Sequence, residues 1–349
     1  MTDQHAGLHP FETLTPDAVI NALEATGLQL DGRLMTLSSY ENRVYLAHTE
    51  SGDGTEAVVA KFYRPQRWSD AQIQEEHDFA KALLKAEIPL AAPLALNGQT
   101  LHHASGFAYS ISPRKGGRRP ELDDLDTLEW IGRFLARIHT VGAAQPFAVR
   151  PALNVQAFGT EPYEWLLAHQ MVAPEVSAAW REAYLEAIEL VAASCGGALL
   201  GTPALQPGGI THIRLHGDCH PGNILWTPEG STTQAAGPHF VDLDDARMGP
   251  AVQDLWMLLS GDRRQRTQQL SALLDGYAQF RSFDRRELAL IEPLRTLRLV
   301  HYSAWLARRW DDPAFPIAFP HFGTSAYWHE QLQLLRSQIE AMQEEPLVC

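Results

Sequence analysis

The sequence predicts a two-lobed α+β protein: a small lobe of antiparallel β-sheet followed by a larger, mainly α-helical lobe. Three observations carry this expectation. A chain of 349 residues exceeds what one small core organises, so two lobes are expected. Alternating, β-type patterning is concentrated before residue 113. Beyond the polar, Gly-rich stretch "RKGGRRPELDD" at 114–124, helical periodicity dominates. The expected division is therefore 1–113, a small lobe of sheet plus helix, and 114–349, an α-rich lobe.

The elements follow in order. "TPDAVINALEATG" at 15–27 reads as a short helix, with Thr15 as N-cap, Pro16 at the first helical position and Gly27 past the end. From Gly32 to Tyr63 the alternation predicts three antiparallel strands, with a Ser-Gly-Asp-Gly turn at 51–54. Ser69 caps a helix over 69–88 that places Ile73, Phe79, Ala80, Leu83 and Leu84 on one face, and Pro89 ends it. Strand-like text with a turn near Asn97-Gly98 runs to the linker. Helices are then expected over 122–140, 161–171, 174–196, 251–260, 265–281, 285–310 and 325–343. Two short strands, 223–226 and 239–245, interrupt them, and "STTQAAGP" at 231–238 is a solvated turn.

Composition excludes several classes. No apolar run reaches the roughly 18 residues that span a bilayer, so no membrane partner is expected. The N-terminus lacks the basic start and apolar core of a secretory signal, and three cysteines, Cys195, Cys219 and Cys349, are too few for a disulfide framework. A cytoplasmic protein is expected. A net charge of −14 repels nucleic acid and favours cationic small molecules or basic peptides. The expected state is a monomer.

Chemistry concentrates in "RLHGDCHPGNILW". His216, Cys219 and His220 are zinc-ligand types, but structural zinc draws on two spaced pairs, and no second pair is present. Asp218 and Asn223 lie five residues apart, and about twenty residues later "HFV" delivers Asp242, Asp244 and Asp245, a hairpin with acids at its mouth. Phosphoryl transfer from a nucleotide needs a carboxylate to orient the acceptor hydroxyl, with an amide and a second carboxylate to hold Mg²⁺ against the phosphates. Asp218, Asn223 and Asp242 supply all three.

"HGDCHPGNILW" followed by "FVDLDDA" resembles the catalytic loop and metal-binding segment of aminoglycoside phosphotransferases, choline kinases and relatives with a protein-kinase-like fold. The resemblance implies Asp218 as catalytic base, Asn223 as metal-binding amide and Asp242 as metal-bridging aspartate. It implies a lysine on the third strand and a glutamate on the next helix. Lys61 in "VVAKFY" and Glu76 fit, with Glu75 as second choice because it points nearer to solvent. No Gly-x-Gly-x-x-Gly loop is present, and Ser39 in "SSYENR" is the candidate phosphate contact, with Asn42 as a turn former.

"SYENRVY", "VAKFYRPQRW", "EEHDFA", "RLHGDCH", "FVDLDDAR", "GPAVQDLWMLL" and "AWLARRW" are closer still to the bacterial stress response kinase A group, over most of residues 12–345. That resemblance implies an ATP- and Mg²⁺-dependent kinase acting on protein Ser/Thr hydroxyls, in a stress response. Backbone near Ser112 to Lys115 is expected at the adenine. The alternatives are a kinase of small hydroxyl-bearing acceptors (aminoglycoside, choline or homoserine-like) and an ATP-binding, pseudokinase-like module.

Two departures bear on mechanism. Gly217 replaces the arginine that reads a phosphorylated activation loop, and His220 stands where protein kinases carry a phosphate-contacting lysine. Asp254 is expected to begin the helix that supports the loop by accepting its N–H groups. The cluster His301, Tyr302, Trp305, Arg308, Arg309 and Trp310 could line a substrate groove or be core plus rim.

Overall fold

The computed structural model describes residues 9–50, 57–195, 197–199, 209–228, 231 and 235–349. Helix α1 (Pro16–Glu24) begins where Thr15 caps it by accepting the Ala18 N–H. Strands β1 (Leu30–Leu37), β2 (Arg43–Thr49) and β3 (Ala57–Phe62) follow. The 51–54 turn lies outside the described residues. With β4 (His102–Ala104) and β5 (Phe107–Pro113) they form an antiparallel sheet in the order β1-β2-β3-β5-β4. Its core, Val58, Ala60, Phe62, Tyr109 and Ile111, is closed by Val19, Ala22 and Leu23 of α1.

Helix α2 (Asp70–Lys85) starts at a capping box between Ser69 and Gln72. Its apolar face packs into the core of the helical lobe rather than that of the sheet: Phe79, Ala80, Leu83 and Ile88 cluster with Leu135 and Phe240. Leu84, expected on that face, is 46% exposed, because the contact stripe is narrower than the apolar run.

The helical lobe comprises α3 (Leu125–Gly142), α4 (Glu161–Ala168), α5 (Pro174–Ser194), α6 (Gln253–Trp256), α7 (Arg263–Ala278), α8 (Ile291–Ala307), α9 (Ala314–Ala318) and α10 (Ser325–Gln343). Helices α3 and α7 approach closely because Gly132 and Gly276 lack side chains: a β-carbon would overlap the Leu273 carbonyl at Gly132 and the Glu129 carbonyl at Gly276. Tryptophans Trp180 of α5 and Trp328 of α10 anchor a second core with α4, α8 and α9.

Several expected elements are shorter. The helix at 251–260 contracts to α6, and 285–310 opens with a 3-10 turn over Arg285–Leu290 before α8. The hairpin β7 (Ile224–Thr227) and β8 (Gly237–Phe240) stops at Phe240, short of the end of the 239–245 strand expected, since Asp242 adopts a left-handed conformation (φ 61°, ψ 68°) that no ladder accommodates. The 231–238 turn lies partly outside the described residues. Two three-residue strands, β6 (Ile213–Leu215) and β9 (Arg247–Gly249), and helix α9 carry too little periodicity to be read from sequence. The 114–124 linker is pinned: Arg118 and Trp226 exchange backbone hydrogen bonds of 3.0 and 2.6 Å.

Candidate active site

The site forms where the sheet, α2 and the strand pairs β6–β9 and β7–β8 of the helical lobe meet. Lys61 lies mid-sheet, its backbone paired with Val44 on one side and Ser110 on the other. Strand geometry therefore fixes where its ammonium emerges. Its Nζ lies 3.3 Å from Glu76 Oε1 and 3.6 Å from both Asp242 Oδ1 and Asp244 Oδ1. Burial would strip its proton, but Glu76 foremost, with Asp244 and Asp242, holds its pKa well above the usual lysine value. The ammonium stays charged.

Glu76 is the partner of Lys61 and Glu75 is not. Glu75 instead accepts the backbone N–H groups of Ala148, Val149 and Arg150 at 2.6, 3.0 and 2.9 Å, tying α2 to the helical lobe. Arg150, buried beneath Glu76 at 3.6 Å, donates to the carbonyls of Ala246 and Asp244.

The 216–223 loop connects β6 to β7 and is held from below by Asp254, fully buried at the start of α6. Its two oxygens accept the N–H groups of His216 and Gly217, both at 2.8 Å, and His139 Nε2 lies 3.1 Å away. Burial opposes this charge, yet the His139 hydrogen bond and the Gly217 N–H hold the carboxyl below its ordinary range. Gly217 needs its left-handed φ of 86°, and a β-carbon there would strike the Asp245 carbonyl. His216 Nε2 donates to the Val241 carbonyl at 2.9 Å, locking the loop to the Asp242 segment.

Asp218 emerges above this support with 22% of its side chain exposed. Its Oδ2 lies 3.5 Å from His220 Nε2, and its Oδ1 lies 2.9 Å from Arg298 Nη1 of α8. His220 Nδ1 accepts the Gly222 N–H at 2.9 Å, so the ring proton sits on Nε2, facing Asp218. Burial, against the pull of Asp218, keeps the His220 imidazole below its ordinary pKa. Cys219 is buried, and burial pushes its thiol well above the ordinary value, so it is an inert part of the core.

Asn223 donates from Nδ2 to the Asp218 carbonyl at 2.9 Å, which leaves its Oδ1 as a free acceptor. Asp242, 49% exposed, projects from its left-handed turn into the same space. A hard carboxylate and a hard amide oxygen suit Mg²⁺, which keeps waters and takes phosphate oxygens for the rest of its shell. Among the described residues no cluster of three or more His, Cys, Asp or Glu forms an all-protein metal cage. Asp244 Oδ1, buried and without a hydrogen bond, adds a further acceptor beside Lys61.

Asp244 and Asp245 turn away toward arginines. Arg67 pairs with Asp244, and with Asp245 at 2.9 Å, while Asp245 also holds Arg247 at 2.6 Å. Against the cost of burial, Arg67 and then Lys61 keep the Asp244 carboxyl below its ordinary range. Asn42 is more than a turn former: it accepts the Arg64 N–H at 3.0 Å and donates to Asp244 Oδ2 at 3.2 Å, linking the two lobes. Ser39 lies half-buried in the β1–β2 loop, and its hydroxyl makes no hydrogen bond among the described residues.

The "ARRWDD" segment after α8 closes the far side. Arg43 and Arg64 hold Asp312 at 2.7 and 2.6 Å, and Arg309 and Trp305 hold Glu41 at 2.6 and 2.5 Å. Of the aromatic and basic cluster, Trp305 and Arg309 thus pack at the lobe interface, His301, Arg308 and Trp310 pack within the helical lobe against Phe158, Trp165 and Phe322, and Tyr302 remains exposed near Phe319. Sequence reasoning missed Arg150, Arg67 and Arg298. Arg298 alone carried a signal, the i, i+3, i+4, i+7 face it shares with His301, Tyr302 and Trp305.

Residues 34–291 match the family described as "Phosphotransferase enzyme family". Stress response kinase A of Escherichia coli (strain K12) is 44% identical over 337 residues, covering 97% of this chain and 96% of that protein. Serine/threonine protein kinase RdoA of Salmonella typhimurium (strain LT2) is 43% identical over the same shares. Among solved structures, amicoumacin kinase hAmiN in complex with AMP-PNP, Ca²⁺ and Ami shares the fold, with a TM-score of 0.67, 18% identity and 95% of each chain covered.

Proposed function

The chain belongs to the phosphotransferase enzyme family and, within it, to the stress response kinase A group, so it is an ATP-dependent kinase; from that premise we propose that it phosphorylates Ser or Thr hydroxyls of proteins. The observation that carries the chemistry is one convergence. Lys61 reaches both Glu76 and Asp242, the Asp242 segment is tied to the Asn223 carbonyl by the Val241 N–H at 3.0 Å, and Asn223 holds the Asp218 carbonyl, so five residues from both lobes join one contact network.

In this reading Lys61 holds the α and β phosphates and Glu76 fixes the lysine. Backbone at 112–115 meets adenine, and Ser39 contacts phosphate from the β1–β2 loop. Asn223 and Asp242 hold Mg²⁺, which neutralises phosphate charge when bound. Asp218 accepts a hydrogen bond from the acceptor hydroxyl and takes its proton as the hydroxyl oxygen bonds to the γ-phosphorus and ADP departs with the bridging oxygen. We place the lobe division between Pro113 and Arg114. The protein acceptor and the stress role rest on the names of the relatives, "Serine/threonine protein kinase RdoA" and "Stress response kinase A". A cytoplasmic, monomeric enzyme fits three free thiols and the lack, among the described residues, of any helix long and apolar enough to cross a membrane.

A small cationic acceptor is the second reading. It is favoured by the exposed rings of Tyr40 and Tyr302 around Phe319, 4.9 and 6.5 Å from it, and by the net charge of −14. The test is γ-labelled ATP with Mg²⁺ and a mixed histone fraction, then a panel of amino alcohols and aminoglycosides. Label on Ser or Thr supports the protein-kinase reading, whereas label on a small acceptor alone moves the enzyme to the second. Asp218→Ala is expected to lower turnover by at least about 100-fold while ATP binding persists; near-normal turnover in that variant refutes the assignment. Turnover lost in Asp242→Ala excludes a module that binds ATP without consuming it.

A further inference from the structure

A base that must receive an acceptor hydroxyl also stands in the path of an anionic phosphoryl group. Asp218 is such a carboxylate, and its own loop offers it little compensating charge: Gly217 precedes it, and His220 carries no second proton while Nδ1 accepts the Gly222 N–H. Lys61 on the donor side is engaged by Glu76, Asp242 and Asp244. The cation that reaches Asp218 comes instead from α8, eighty residues further along the chain: Arg298 Nη1 lies 2.9 Å from Asp218 Oδ1. Its side chain is 36% exposed, and a guanidinium carries five donor hydrogens, so most remain available at the cleft.

Resting on the kinase reading above, we propose that Arg298 is a positioning residue for phosphoryl transfer. Its guanidinium fixes the rotamer of the Asp218 carboxylate and offsets its charge, so that the carboxylate can take the hydroxyl proton while the γ-phosphoryl group approaches. The positive charge that this loop lacks in sequence is supplied by tertiary contact. The face of α8 is built for it: the half-buried His301 stacks on Phe158, with ring centroids 4.2 Å apart, and Trp305 is tied to Glu41, which together hold the helix face that carries Arg298.

The test compares wild type, Asp218→Ala, Arg298→Ala and Arg298→Lys, following ADP formation with Mg-ATP in the presence and absence of the histone fraction, with melting temperature as a check on folding. Loss of one charge-assisted contact predicts a fall in kcat of about 10- to 100-fold in Arg298→Ala. KM for ATP should stay within about twofold, because no nucleotide contact is removed. Arg298→Lys should recover part of the loss, and free guanidinium ion at tens of millimolar should raise kcat of Arg298→Ala but not of wild type. An unchanged kcat in Arg298→Ala, or a loss that guanidinium leaves untouched and a lowered melting temperature accompanies, overturns the inference and leaves the kinase reading standing. A wild type with no Asp218-dependent turnover overturns both.

Discussion

Asp254 should be the residue whose loss most damages the catalytic loop without touching substrate. Both of its oxygens are occupied by backbone N–H groups of the loop, His216 and Gly217 at 2.8 Å each, and His139 approaches at 3.1 Å, all with no exposed surface. In Asp254→Ala these donors are orphaned in a dry interior at about 1–3 kcal/mol each. The Gln253 side chain still donates to the Gly217 carbonyl at 3.2 Å, so the loop is not wholly released. We expect a loss of about 4 kcal/mol. Asp254→Asn keeps one accepting oxygen and turns an NH₂ toward the other donors, for about 2–3 kcal/mol. Urea unfolding followed by fluorescence of the nine tryptophans measures it. Because Asp218 follows directly on the released N–H groups, a shift of about 1 Å there predicts a fall in kcat on the order of 100-fold. Stability within about 1 kcal/mol of wild type in Asp254→Ala, with kcat within about threefold, would refute the account of Asp254 as the loop's support.

Two further outcomes follow from packing and burial. Gly276→Ala drives a methyl group into the Glu129 carbonyl where α3 and α7 meet, and overpacking should cost about 1–3 kcal/mol in the same urea assay, whereas Gly27→Ala, at an uncrowded helix end, should show only the milder strain of its positive φ. Glu287 accepts the Val252 N–H at 2.8 Å, and burial raises its pKa to about 7. Native protein then binds more protons than unfolded chain between the ordinary glutamate value of 4.5 and about 7, so stability falls as pH rises through that window. Glu287→Gln should flatten that slope and stabilise the protein at pH 8 by up to about 3 kcal/mol, and a slope unchanged by the substitution would count against the shift.

Sequence by itself determined the local elements whose signals are local. Thr15, Ser69 and Pro16 mark helix starts that the structure uses, and the alternation of β1 to β3 carries Lys61 to mid-sheet. The trio Asp218, Asn223 and Asp242 was legible because its members sit on one continuous hairpin region with short spacing, and the family follows from the same words. Tertiary structure decided what spacing cannot encode. Helical periodicity left Glu75 and Glu76 as neighbouring candidates, and only the approach of the 148–150 backbone, which occupies Glu75, leaves Glu76 to Lys61. The strand expected over 239–245 ends at Phe240 because Asp242 turns left-handed, a conformation aspartate tolerates better than most residues but that the apolar run before it does not reveal. Arg298, Arg150 and Arg67 reach the site from distant segments, and a long, flexible cationic side chain acquires its partner only when folding sets which carboxylate lies within reach.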